Sequence, residues 1–116
     1  MKNLKPIFIL LLTLFIPLQA FAKTYTVVLN NFVFTPKNIT IHPNDTVKWV
    51  DKQSTVIHDV DSDNGVSFSS PELQKGDSFS HKFPKAGKFA YHCSFHGGVG
   101  GVGMAGVVKV VAVRKR

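Results

Sequence analysis

The chain has a single cysteine, Cys93, with His96 three residues beyond it. Met104, the only methionine besides Met1, follows residues 97–103, five of which are glycine. A thiolate, an imidazole and a thioether in so short a stretch, joined by one more imidazole, form the donor set of a mononuclear copper centre suited to one-electron transfer. Soft sulfur favours Cu(I), imidazole suits Cu(II), and a weak thioether tunes the balance between them. His58, in the apolar stretch from Thr55 to Val60, is the expected second imidazole. Alone, a cysteine packs as a small hydrophobe, and a lone histidine in an apolar stretch is an ordinary core residue. Together, at ligand spacing, the expected metal residues are His58, Cys93, His96 and Met104, and the expected cofactor is one copper ion.

Local geometry supports that choice. Side chains alternate along a strand, so Tyr91 and Cys93 share a face and His92 points away from the sulfur. His96 lies beyond the expected strand end, where the chain can bring its ring back. The glycine-rich loop over 97–103 can fold back because glycine accepts positive φ. His42, His81 and His92 are read as solvent-facing or structural. A catalytic thiol would need an exposed cysteine of low pKa, and no catalytic residue is assigned. Tyr91 is read as a core aromatic whose hydroxyl is tied to backbone, as happens in β-sandwich domains.

The elements that must position these donors read as strands. From Lys23 onward the apolar positions recur at strand period and nothing has the pattern of a long amphipathic helix. Strands are expected within Thr24 to Leu29, Phe32 to Phe34, Ile39 to Ile41, Thr46 to Val50, Thr55 to Val60, Ser78 to Phe83, Phe89 to Cys93 and Gly106 to Val113. In Thr46-Val47-Lys48-Trp49-Val50, Val47 and Trp49 face opposite to Lys48. Turns are expected at His42-Pro43-Asn44-Asp45 and over Asp61 to Gly65, and Phe68 to Leu73 reads as irregular. Seven or eight short strands between turn signals indicate an all-β, antiparallel sandwich or barrel.

The start of the chain has a different character. Lys2 and Lys5 precede an apolar run from Ile7 to Ile16, and Ala20-Phe21-Ala22 fits a small-x-small cleavage site. Residues 1–22 are thus expected to be a signal peptide and 23–116 the domain. The run is too short to span a bilayer, which takes about 20 residues of helix. The mature protein is expected outside the cytoplasm, in the periplasm or beyond, with no stable membrane insertion. One thiol excludes an internal disulfide in such a compartment and leaves metal ligation to explain it. Fourteen Lys and Arg, two of them in the leader, stand against seven Asp and Glu. The basic surface could steer an acidic protein partner, whereas nothing beyond that balance indicates nucleic acid.

The order of motifs resembles the cupredoxins, the small blue copper proteins that include plastocyanin, pseudoazurin and amicyanin. The resemblance is carried by Phe34-Thr35-Pro36, Ile39-Thr40-Ile41, Asp45 to Trp49, His58-Asp59-Val60, Gly76-Asp77-Ser78-Phe79, Gly87 to His96 and Gly103 to Val110. It implies an eight-stranded Greek-key sandwich with type 1 copper at one end, held by His58, Cys93, His96 and Met104. It also implies a monomeric electron carrier that meets redox partners near His96, where Val99 and Val102 could form an apolar patch. Delivery or scavenging of copper through the same ligands is the alternative. Three departures stand out: the His96–Met104 loop is longer than the family commonly carries, Asp59 occupies a usual asparagine position, and Phe95 a frequent proline position. Asp59 is expected to accept a hydrogen bond from Ser94 and to lower the copper potential.

Overall fold

The computed structural model describes residues 21–112, so the expected signal peptide lies outside the described residues except for Phe21 and Ala22. Eight strands follow: β1 (Thr24–Asn30), β2 (Val33–Thr35), β3 (Asn38–Ile41), β4 (Thr46–Asp51), β5 (Asp61–Ser62), β6 (Ser78–Lys82), β7 (Gly87–Gly98) and β8 (Val102–Val110). They form two four-stranded sheets, in the orders β2-β1-β4-β6 and β3-β8-β7-β5. The all-β sandwich expected from the alternation is the fold observed, but it is not purely antiparallel: β1 pairs parallel to β4 and β3 parallel to β8.

Alternation places the core. Val27 and Leu29 on β1, and Val47, Trp49 and Asp51 on β4, point inward, whereas Lys48 is exposed. From the second sheet, Ile41, Tyr91, Cys93, Met104, Val108 and Val110 join the buried cluster, with Phe34 of β2 and Val60, Phe68, Leu73 and Phe83 from the connecting segments. Trp49 lies at its centre, stacked on Phe68 and Phe79 at centroid distances of 5.5 and 5.8 Å and edge-on to Tyr91 at 5.3 Å. Offset and edge-on contacts of this kind satisfy the ring quadrupoles while burying large apolar areas.

Several expectations need correction. Thr55 to Val60 is no strand: Thr55 has φ 62°, and only His58 bridges to the chain at Leu73. The strand lies just beyond, because Asp61 and Ser62 pair with His92 and Tyr91 of β7. The polar turn is correspondingly shorter and is organised by Asn64, whose Oδ1 accepts from the backbone N–H of Val66 and Ser67. The glycine run is a hairpin rather than a loop of seven residues, since β7 and β8 extend through it with Gly97 opposite Gly103 and Gly98 opposite Val102. The last strand therefore starts at Val102 and ends at Val110.

The Tyr91 hydroxyl has no hydrogen-bond partner, contrary to the backbone tie expected, and neither has the Trp49 indole N–H. Burial pushes the Tyr91 phenol up to about 12. The phenol occupies the space left by Gly106, its cross-strand partner, where a Cβ would come within 2.5 Å of the phenol oxygen.

The entry to the first strand is fastened by Asp45, a buried carboxylate. It accepts the N–H of Lys23 at 2.8 Å and that of His42 at 2.9 Å. Burial alone would raise its pKa, but these two backbone bonds, with nearby positive charge, bring it below 3.8 overall. A carboxylate depressed on folding stabilises the fold above its unfolded pKa, and that contribution is lost as pH falls through the folded value. Asp45→Ala is accordingly expected to cost about 1.5–3 kcal/mol at neutral pH. The loss relative to the parent should shrink below pH 3.8, as read from thermal melts across the acid range.

Candidate metal centre

Three of the expected donors meet at one end of the sandwich. Cys93 Sγ lies 3.7 Å from His58 Nδ1 and 3.5 Å from His96 Nδ1. The ligand atoms of His58, Cys93 and His96 all fall within 4.8 Å of one another. Donors bonded to one ion at roughly 2.0–2.3 Å stand about 3–4 Å apart, so both sulfur–nitrogen distances suit a shared ion. With one thiolate and two imidazoles, the cluster fits a copper site.

Each donor is placed by its own piece of backbone. His58 sits between β4 and β5, where its N–H donates to the Leu73 carbonyl at 3.0 Å and its carbonyl accepts from Leu73 N–H at 2.7 Å. Cys93 follows Tyr91 on the inward face of β7. The regular β7–β8 register breaks between His92 and Gly97. That irregularity lets His96, three residues after Cys93, swing to the same side as the sulfur, where strict alternation would point it away. Met104 is buried in β8 within the same apolar cluster as Cys93. Gly97 and Gly103 allow β7 and β8 to close here: a Cβ on Gly97 would meet the Met104 carbonyl oxygen at 2.3 Å.

Asp59 ties the bulge to the His58 segment. Its Oδ1 accepts the Ser94 N–H at 2.6 Å, and its Oδ2 accepts the Ser94 hydroxyl in a second, short hydrogen bond. The residue after one donor thus clamps the residue after another, so the two stretches cannot separate independently. Behind the site, His92 points away from Cys93 and binds Asp63 through Nδ1 at 2.6 Å. Asp63 also accepts the N–H of Gly100 at 3.0 Å and so pins the tip of the β7–β8 hairpin. His81 packs between Phe68 and Phe83, and His42 lies at the surface beside Asp45.

Exposure differs sharply among the donors. His58 and Cys93 are fully buried, whereas His96 is only partly covered. Burial lowers the pKa of His58, and the neighbouring His96 acts in the same direction against the opposing pull of Asp51 and Asp59. The imidazole is thus neutral near pH 7, with a lone pair free to ligate. Burial likewise pushes the Cys93 thiol up, with three backbone N–H contacts opposing. Around His96 the surface is apolar, with Phe95, Val99 and Val102 all at least half exposed.

Two residues of this region escaped the sequence reading. Gln53 Oε1 lies 2.8 Å from His58 Nε2, and the Phe32 ring stands edge-on to both histidines, 5.8 Å from His58 and 4.9 Å from His96 between centroids. Gln53 gave no signal, being a polar residue in an irregular stretch. Phe32 gave a weak one, as a bulky residue directly after Asn30-Asn31.

Comparison with known proteins agrees with this architecture. One solved structure is a reduced Cu(I) form of an amicyanin variant at pH 4, 25% identical, with a TM-score of 0.67 over 76% of this chain and 82% of that one. A purple cupredoxin from Nitrosopumilus maritimus is 30% identical, with a TM-score of 0.63 over 74% of this chain and 98% of its own. A copper-containing nitrite reductase from Thermus scotoductus SA-01, 24% identical with a TM-score of 0.67, shares the fold over 78% of this chain but only 23% of its own length. The profile of the cupredoxin-like domain matches residues 6–102. With most of its length matched and a purple cupredoxin covered almost end to end, the chain belongs to the cupredoxin-like family.

Proposed function

We propose that His58, Cys93, His96 and Met104 hold one copper ion and that the protein is an extracytoplasmic one-electron carrier. The observation that carries this reading is the convergence of two imidazole nitrogens on a buried thiol at one end of a cupredoxin-like sandwich. Copper would supply the Cu(II)/Cu(I) couple. The protein supplies rigidity: β7, the Leu73 bridge and the Asp59–Ser94 clamp hold the donors in place before any ion arrives, which limits rearrangement on electron transfer. Binding requires the Cys93 proton to leave, so uptake releases acid. Met104 is the thioether available in the same buried cluster.

His58 and Cys93 are closed to solvent, which favours a carrier over an enzyme with an open substrate position. His96 is the partly exposed donor, and the apolar residues Phe95, Val99 and Val102 beside it offer a docking face to a redox protein. Export rests on the leader and the single thiol. Copper delivery, the alternative, would need the glycine-rich stretch over 97–103 to open. The paired hairpin, pinned by Asp63, gives that reading less support.

The test is a titration of the processed protein with Cu(II). One equivalent should produce an intense thiolate-to-copper absorption in the visible and fast electron self-exchange with slow metal release. A colourless protein with stoichiometric copper would overturn the proposal, and ready transfer of copper to an acceptor would move the assignment to delivery.

A further inference from the structure

We propose that Phe32, held by Gln53, is a positioning residue that fixes the orientation of both histidines in the donor cluster. This deepens the copper-site reading and rests on it. The first observation is a local rule broken. β1 and β2 are joined by the two-residue turn Asn31-Phe32, flanked by the pair Asn30 and Val33. Both turn residues have positive φ, 52° and 61°. Asparagine is favoured in such a hairpin turn, and glycine is the favoured residue at the second position. A bulky side chain with positive φ is a backbone outlier, and strain of this kind persists only where the surroundings enforce it, often at functional sites.

Gln53 provides that enforcement. Its Oε1 accepts the backbone N–H of Phe32 at 2.9 Å and lies 2.8 Å from His58 Nε2. A backbone N–H can only donate, so the amide atom shared by these two groups is the oxygen, and His58 must donate to it from Nε2. That leaves the Nδ1 lone pair of His58 facing Cys93 Sγ, the tautomer a ligand needs. Gln53 is itself anchored, because its N–H donates to Oδ1 of the buried Asp51 at 2.8 Å.

The ring then acts as a cover. Phe32 meets His58 at an interplanar angle of 81° and His96 at 71°, while the two histidines stand 4.9 Å apart at 65°. With 44% of Phe32 exposed, its outer side faces water and its inner side lies on the imidazoles. One amide oxygen therefore sets the tautomer of one histidine and holds in place the ring that limits the motion of both.

The experiment compares Phe32→Gly and Gln53→Leu with the parent. In the metal-free parent, nitrogen-15 NMR should find the His58 ring proton on Nε2. Glycine suits the turn, so Phe32→Gly should keep or raise the thermal midpoint while shifting and broadening the ring signals of His58 and His96. Copper affinity should fall about 10–100-fold in both variants, as for other outer contacts of metal-bound histidines. Ring signals unchanged in Phe32→Gly, or changed only together with loss of the fold, would overturn the proposal. If the parent takes up no copper, the copper reading fails, and the metal-free ring signals still decide whether Phe32 and Gln53 orient the histidines.

Discussion

Cys93→Ala should abolish the visible absorption of the copper-loaded protein and weaken Cu(II) binding by more than roughly 100-fold, beyond the 10–100-fold typical of losing an outer contact. The chain has no second cysteine to substitute, and the absorption requires a thiolate on the metal. The fold should survive. The side chain is small, and its removal leaves a cavity of about one atom, far less than the leucine-sized voids that cost about 2–5 kcal/mol. A competition titration against a chelator, with far-ultraviolet circular dichroism as the control for folding, separates the two effects. Parent-like affinity in the variant would remove Cys93 from the site.

Trp49→Ala should have the largest effect on stability, about 3–5 kcal/mol, a sizeable part of the ~5–15 kcal/mol that holds a domain together. Trp49 has the greatest volume among the fully buried side chains and touches Phe68, Phe79, Phe83 and Tyr91. Its loss leaves a void between the sheets that backbone hydrogen bonding prevents from collapsing. At about 4–8 °C per kcal/mol for a domain of this size, the thermal midpoint should fall by at least roughly 12 °C. A scan showing a shift of only a few degrees would mean that Phe68 and Phe79 close the gap.

The strands legible in the sequence are those with one wet face and one dry face. Val47-Lys48-Trp49 and Ser78 to Lys82 alternate because one side of each packs on the core, and the alternation alone specifies them. The Asp61–Ser62 strand carries no such mark, since two polar residues become a strand only because β7 offers them partners. Likewise, Gly97, Gly98 and Gly103 have no side chains to signal a face, so extended pairing there reads as a loop. Cys93, His96 and Met104 are conspicuous in the sequence by residue type, whereas the donor set asks only for a second imidazole and the cupredoxin-like motif His58-Asp59-Val60 singles out which one. Phe32 and Gln53 are not conspicuous, because a turn with a bulky residue at positive φ and an amide shared by two segments arise only when the chain is folded.

The pairing of strands remote in sequence also bears on how the protein reaches this state. β1 lies parallel to β4, and β3 lies parallel to β8, so neither sheet can be completed by zipping up local hairpins. Closing the intervening chain costs entropy before any contact returns it, and topologies of this kind fold over about milliseconds to seconds rather than microseconds. His58 and Cys93, 35 positions apart, become neighbours only at that closure, so a nascent chain offers an incoming ion the local Cys93–His96 pair at most and only the finished sandwich adds the buried imidazole of His58.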